Sequence, residues 1–166
     1  MTRTAVFATS LVAAILAFSA TARAQTAPTF EKKNYNYSEW AKGRFSEAVS
    51  VTFSGPAKMI FLAGVGAEDE GATRGVIRHL GDFMGQCRYS YDKIKRVLEK
   101  NGATLADTVK IVTYVTDIRF QMDAGKCRAE AFAGLQLPVH TFLNINQLAW
   151  PGMLVEVDVT AVVGKP

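Results

Sequence analysis

Residues 154–163 limit the fold more than any other part of the chain. Val155, Val157, Val159 and Ala161 fall on one side of an extended strand, and Glu156, Asp158 and Thr160 on the other. Such a strand needs an apolar layer against one face only, so the chain must build a sheet covered on one side. The cover comes from upstream. Val76, Leu80, Phe83, Met84, Cys87, Tyr91, Ile94, Val97 and Leu98 recur three and four apart, which predicts a helix over 76–101 stopped by Gly102. Asp117 can cap a shorter helix over 120–132, whose apolar stripe is Phe120, Ala124, Cys127 and Ala131.

The remaining strands follow from period-two alternation at 45–53 and 108–116 and from the apolar run at 59–65. Ser54-Gly55-Pro56 turns the chain between the first and last of these, predicting a hairpin. Strands at 140–146 and 154–163 are joined by a turn containing Pro151-Gly152. The order is β-β-α-β-α-β-β, an α+β domain with one sheet and both helices on one face. The uncovered face is only half polar, as a surface met by a partner subunit would be. Between 64 and 75 lies a Gly-rich loop with Glu68, Asp69 and Glu70. It lacks the glycine spacing and Lys-Ser/Thr of a phosphate cradle, and three carboxylates would repel phosphate, so it is read as a strand-exit loop.

The N-terminus reads as a targeting segment. Met-Thr-Arg, an apolar run over 5–18 and Ala22-x-Ala24 form a secretory signal peptide, residues 1–24, with cleavage after Ala24. The run falls short of the ~20 residues a spanning helix needs. Export is therefore expected, to the periplasm of a bacterial host or as a secreted protein, with no membrane attachment after cleavage. Arg3 and Arg23 leave with the leader, which halves the formal charge of +4. The remaining basic residues are interleaved with acids, and nucleic-acid binding is not expected. Residues 25–44 read as a polar N-terminal arm and 45–166 as the domain. Cys87 and Cys127 are the two cysteines, both on helix stripes, and form a disulfide candidate in an oxidising compartment. The alternative is two buried free thiols.

Three stretches carry a family resemblance. They are Gln86-Cys-Arg-Tyr-Ser-Tyr-Asp-Lys-Ile-Lys-Arg-Val-Leu-Glu-Lys-Asn-Gly102, Asp107-Thr-Val-Lys-Ile-Val-Thr-Tyr-Val-Thr-Asp117, and Leu148-Ala-Trp-Pro-Gly-Met-Leu-Val-Glu-Val-Asp158, with Pro138 between the last two. Over 43–162 the chain resembles the RidA/YjgF family of reactive-intermediate deaminases. The resemblance implies a chorismate-mutase-like (YjgF-like) single domain, a mixed sheet with two helices on one face, assembled as a trimeric barrel with ligand clefts at subunit interfaces. It implies a homotrimer that binds small imines, enamines or related metabolites, and a cofactor-independent hydrolytic deaminase activity. A non-catalytic ligand-binding or protein-stabilising trimer is the alternative.

The family's carboxylate-gripping arginine would stand two residues after Pro138, where this chain has His140. The other cleft positions implied by the resemblance are Phe45, Ala63, Gly64, Lys126, Phe142 and the water-positioning acid Glu156. His140 and Glu156 are the candidate catalytic pair, read as lying on neighbouring strands. A carboxylate beside the imidazole would raise its pKa toward the working range and fix its tautomer. The bland alternative is a histidine filling the arginine's space, with Glu156 solvated or in an interface ion pair. Lys126 could replace the lost positive charge, although a helix lysine is usually solvated. No metal site is expected, because His79 and His140 are far apart and the cysteines lack ligand spacing. No cofactor is implied.

Overall fold

The structure is a computed structural model and describes residues 29–164; the leader expected at 1–24 lies outside them. Six strands and two helices follow in the order β1 (Phe30–Tyr35), β2 (Ala48–Phe53), β3 (Ala57–Phe61), α1 (Phe83–Lys100), β4 (Thr108–Val115), α2 (Gln121–Ala131), β5 (Val139–Asn144) and β6 (Val155–Gly164). A four-stranded sheet runs β3-β6-β4-β5, with β4 and β5 parallel and the other pairs antiparallel. β1 and β2 form a separate antiparallel hairpin, tied to β5 by a bridge between Ser46 and Val139.

The alternation of β6 does what its sequence requires. Val155, Val157, Val159 and Ala161 are buried, together with Ile111 and Val115 of β4 and Ile60 of β3. Against them pack Cys87, Tyr91, Ile94 and Leu98 of α1 and Ala124 and Cys127 of α2. A disulfide joins Cys87 to Cys127, with Cα atoms 6.4 Å apart, and Phe83 stacks on Phe120 at 4.3 Å. Outside this seam Arg88 Nε donates to Glu130 at 2.9 Å. The two helices are therefore tied together by a disulfide, a ring stack and an ion pair.

Four expectations need correction. The sheet is not closed into a barrel: β3 and β5 are its two edges. Four strands spaced about 4.8 Å apart make a ribbon too narrow to curl on itself, since a filled barrel takes about eight. The hairpin expected between β2 and β3 is also absent, and β2 pairs with β1 instead. The Ser54 and Gly55 N–H groups both donate to the Thr29 carbonyl, at 2.9 and 3.0 Å, so the turn fastens onto the chain just before β1.

The first helix starts at Phe83 and not at Val76. His79 and Gly81 both have positive φ, 56° and 75°, which breaks any helix there, and Asp82 then caps the true start by accepting from Gly85 N at 2.9 Å. Val76 and Leu80 keep the helical spacing but are exposed. Finally, β5 and β6 are not neighbours, because β4 lies between them. A crossover through α2 makes β5 parallel to β4, while β6 returns on the other side.

Candidate functional site

A groove of about 840 Å³ opens between α2, β5 and the loop before β2. Its walls include Trp40, Phe45, Met122, Arg128, His140 and Phe142. β5 supplies His140 and Phe142, two residues apart and therefore on one face of the strand. His140 is paired in register with Ile111 and Phe142 with Thr113, so both share the helix-covered side of the sheet. α2 supplies Arg128 from the turn that also holds Cys127.

Arg128 is 9% exposed. Its Nη2 donates to the Arg44 carbonyl at 3.0 Å, and its Nη1 lies 2.6 and 2.9 Å from the two ring nitrogens of His140. His140 Nε2 is also 3.0 Å from Thr113 Oγ1. A guanidinium has no acceptor, so the imidazole nitrogen that meets it must carry no proton. The consistent assignment has Nδ1 accepting from Arg128 and Nε2–H donating to Thr113. Burial, and then the Arg128 charge, push the His140 pKa down to about 3. Burial also lowers the pKa of Arg128, offset only by Tyr91. Among the described residues no carboxylate pairs with Arg128.

Glu156 is elsewhere. It pairs with Tyr114 in β4, on the uncovered face, while His140 shares the opposite face with Thr113. The two candidate catalytic residues are thus separated by β4 and by the thickness of the sheet. The expected pair does not form within one chain, and the imidazole pKa moves down where a neighbouring carboxylate would have raised it. Glu156 instead lies over Gly64, where a Cβ would collide with its Oε1. The bonds from Leu62 N to Val159 O and from Val65 N to Val157 O leave one extra residue around Ala63 and Gly64, a bulge beside β6. Burial, then Glu68 and Asp158, raise the Glu156 pKa. Asp158 accepts from the Tyr114 hydroxyl at 3.2 Å, and Glu68 is paired with the buried Lys93 at 3.1 Å.

Of the residues singled out in the sequence, Phe45, Lys126, His140 and Phe142 line the groove. Ala63, Gly64 and Glu156 do not. Lys126 is exposed and close enough to Glu130 to lower its pKa. Arg128, Thr113 and Trp40 escaped sequence reasoning. Arg128 had a signal: it sits four after Ala124 and three before Ala131, on the buried stripe of α2, where an arginine is out of place. Among the described residues no cluster of three or more His, Cys, Asp or Glu could hold a metal ion, and no helix is long and apolar enough to cross a membrane.

Residues 36–163 match the family described as endoribonuclease L-PSP. The chain belongs to that family. Solved L-PSP-type structures agree with the fold. A protein of unknown function from the conserved Rid family of Yersinia pestis is 25% identical, with 80% of this chain and 98% of that chain covered and a TM-score of 0.68. A member of the YjgF/YER057c/UK114 family from Mycobacterium tuberculosis is 28% identical over 80% of this chain and 100% of that one, with a TM-score of 0.54. RidA from a Psychrobacter species, at 21% identity, 74% and 91% coverage and a TM-score of 0.57, shares the fold. No curated protein matches the chain at a significant level.

Proposed function

We propose that this L-PSP family member binds a small imine, enamine or related metabolite through its carboxylate, in the groove at Arg128, and that hydrolytic deamination is the activity this site serves. The observation that carries the reading is the buried guanidinium without a counter-ion among the described residues. A buried cation is ordinarily paired, because leaving it alone forfeits its hydration for nothing. A ligand carboxylate would complete it, with the planar fork giving both charge and direction. Where the family resemblance calls for an arginine on the strand, this chain has His140, and α2 delivers the positive charge from the other wall of the same groove.

His140 then has a positioning role. With a pKa of about 3 it is neutral at pH 7 and cannot protonate a leaving amine. It holds Arg128 on one side and Thr113 on the other. Hydrolysis adds water across the C=N bond and releases ammonia and the oxo acid, so the reaction needs an anchored carboxylate and an oriented water before it needs a strong acid.

Measuring pyruvate binding by calorimetry tests the anchor. Arg128→Met should weaken it at least tenfold, the loss of a charge-assisted hydrogen bond of about 1.5–3 kcal/mol, while Arg128→Lys retains part of it. Unchanged affinity in Arg128→Met would remove the anchor. A coupled assay with enzymatically generated 2-aminoacrylate tests turnover. If wild type does not exceed spontaneous hydrolysis, the non-catalytic binding module is the correct reading.

Assembly as a homotrimer, with clefts completed between subunits, belongs to the same proposal. Met59, Phe61 and Leu143 are exposed large apolar residues of β3 and β5, and the register puts Phe61 and Leu143 on the uncovered face. Export after removal of residues 1–24 is likewise proposed, and the Cys87–Cys127 bond supports it, since such bonds persist in oxidising compartments. Light scattering and N-terminal sequencing of the mature protein test these two points.

A further inference from the structure

We infer that the groove selects acids bearing an aromatic or bulky apolar side chain over three-carbon acids; this rests on the Arg128 anchor proposed above. The groove is far larger than a three-carbon acid requires. Its volume of about 840 Å³ falls in the range of sites that hold ligands of many heavy atoms. Its chemistry is also mixed. The buried cation touches His140, and rings surround that histidine: Phe142 is 6.3 Å and Phe45 6.2 Å from the His140 ring, and Trp40 meets Phe45 edge-on at 5.3 Å.

Two of the apolar lining residues are wet. Trp40 is 60% and Met122 81% exposed. Gly125, between Met122 and Arg128 on α2, leaves open space where a side chain would stand. A carboxylate on Arg128 with only a methylene behind it would leave Trp40 and Met122 in water. An aryl or branched chain would cover both, and the removal of that apolar surface favours the larger acid. The edge-on arrangement of Trp40 and Phe45 offers a ring both a face and an edge to pack against. The competing chemistry is a second carboxylate held by the exposed rim cations Arg44 and Lys126. Those cations are hydrated and screened, whereas the apolar walls gain only from an apolar group.

The test is calorimetric titration of the full, disulfide-bonded protein with pyruvate, phenylpyruvate and 2-oxoglutarate. Phenylpyruvate should bind at least tenfold more tightly than pyruvate, with 2-oxoglutarate no tighter than pyruvate. Trp40→Ala and Met122→Ala should each weaken phenylpyruvate severalfold, and by a clearly larger factor than they weaken pyruvate. Equal affinities for pyruvate and phenylpyruvate, both lost in Arg128→Met, would overturn the side-chain preference and leave the anchor standing. A preference for 2-oxoglutarate would overturn it in favour of the rim cations. No binding of any of the three acids would remove the anchor itself, and the inference with it.

Discussion

Protonating His140 would set a second positive charge against the Arg128 guanidinium inside one groove. The folded-state pKa of about 3 lies below the ordinary 6.5, so the unfolded chain takes up the proton first. The sign follows: His140 favours the folded state fully above about pH 6.5, and that stability is lost as pH falls toward 3. Each pH unit within the window costs up to about 1.4 kcal/mol. Urea unfolding at pH 7 and pH 4.5 checks this, and His140→Gln, neutral at both, should lose less stability on acidification than wild type. Arg128→Met removes a buried cation without a carboxylate partner but strands the Arg44 carbonyl and His140 Nδ1, so the two effects offset and stability should change little; a thermal melt reads the difference. At this scale the sequence was informative about identity and poor about partners. His140 draws attention through the family resemblance, yet its partner depends on which strands touch, and β4 separates β5 from β6. Arg128 was hidden because one arginine on a helix is usually a surface residue, and only its place on the stripe with Ala124 and Ala131 betrayed it.

Both ends of α1 are set by side-chain chemistry that sequence conveys unevenly. Its C-terminal stop at Gly102, with φ of 72°, was legible. Its start was not, because Val76 and Leu80 continue the apolar period through a segment that His79 and Gly81 prevent from being helical. Asp82→Ala should cost about 1 kcal/mol through loss of the cap. Gln86 matters more. Wholly buried, it donates to the Gly152 carbonyl at 2.8 Å and accepts from Leu154 N at 2.8 Å, locking α1 to the lead-in of β6. Gln86→Leu strands both backbone groups and should cost about 2–3 kcal/mol, read as a shift in the urea midpoint. The disulfide closes a loop with a sequence separation of 40, and the chain-entropy relation gives about 4 kcal/mol for its removal in a Cys87→Ala/Cys127→Ala double variant. β1 lies within the stretch that reads as a polar arm: Lys32 and Lys33 mask its pairing with β2, although Lys32 folds back to the carbonyls of Ala106 and Thr108 and Asn34 Nδ2 donates to Ser46 Oγ at 2.8 Å and Leu137 O at 2.9 Å.

Across the molecule, the α+β class and the one-sided sheet were readable because period two and period 3.6 are local properties. The strand order β3-β6-β4-β5 was not, since register between distant strands leaves no local mark. Register with β4 then sets the faces, placing His140 on the side of α2 and Glu156 on the other. The chain also runs β4, the strand between β5 and β6, wholly inside the segment spanned by the Cys87–Cys127 bond. Arg119, its side chain 87% exposed in the short turn after β4, lies in that segment too. A protease that cuts after Arg119 would sever the backbone without separating the pieces. The nicked protein should migrate as a single band on a non-reducing gel and as two once the sulfurs are reduced, so an apparently intact sample would carry a hidden break.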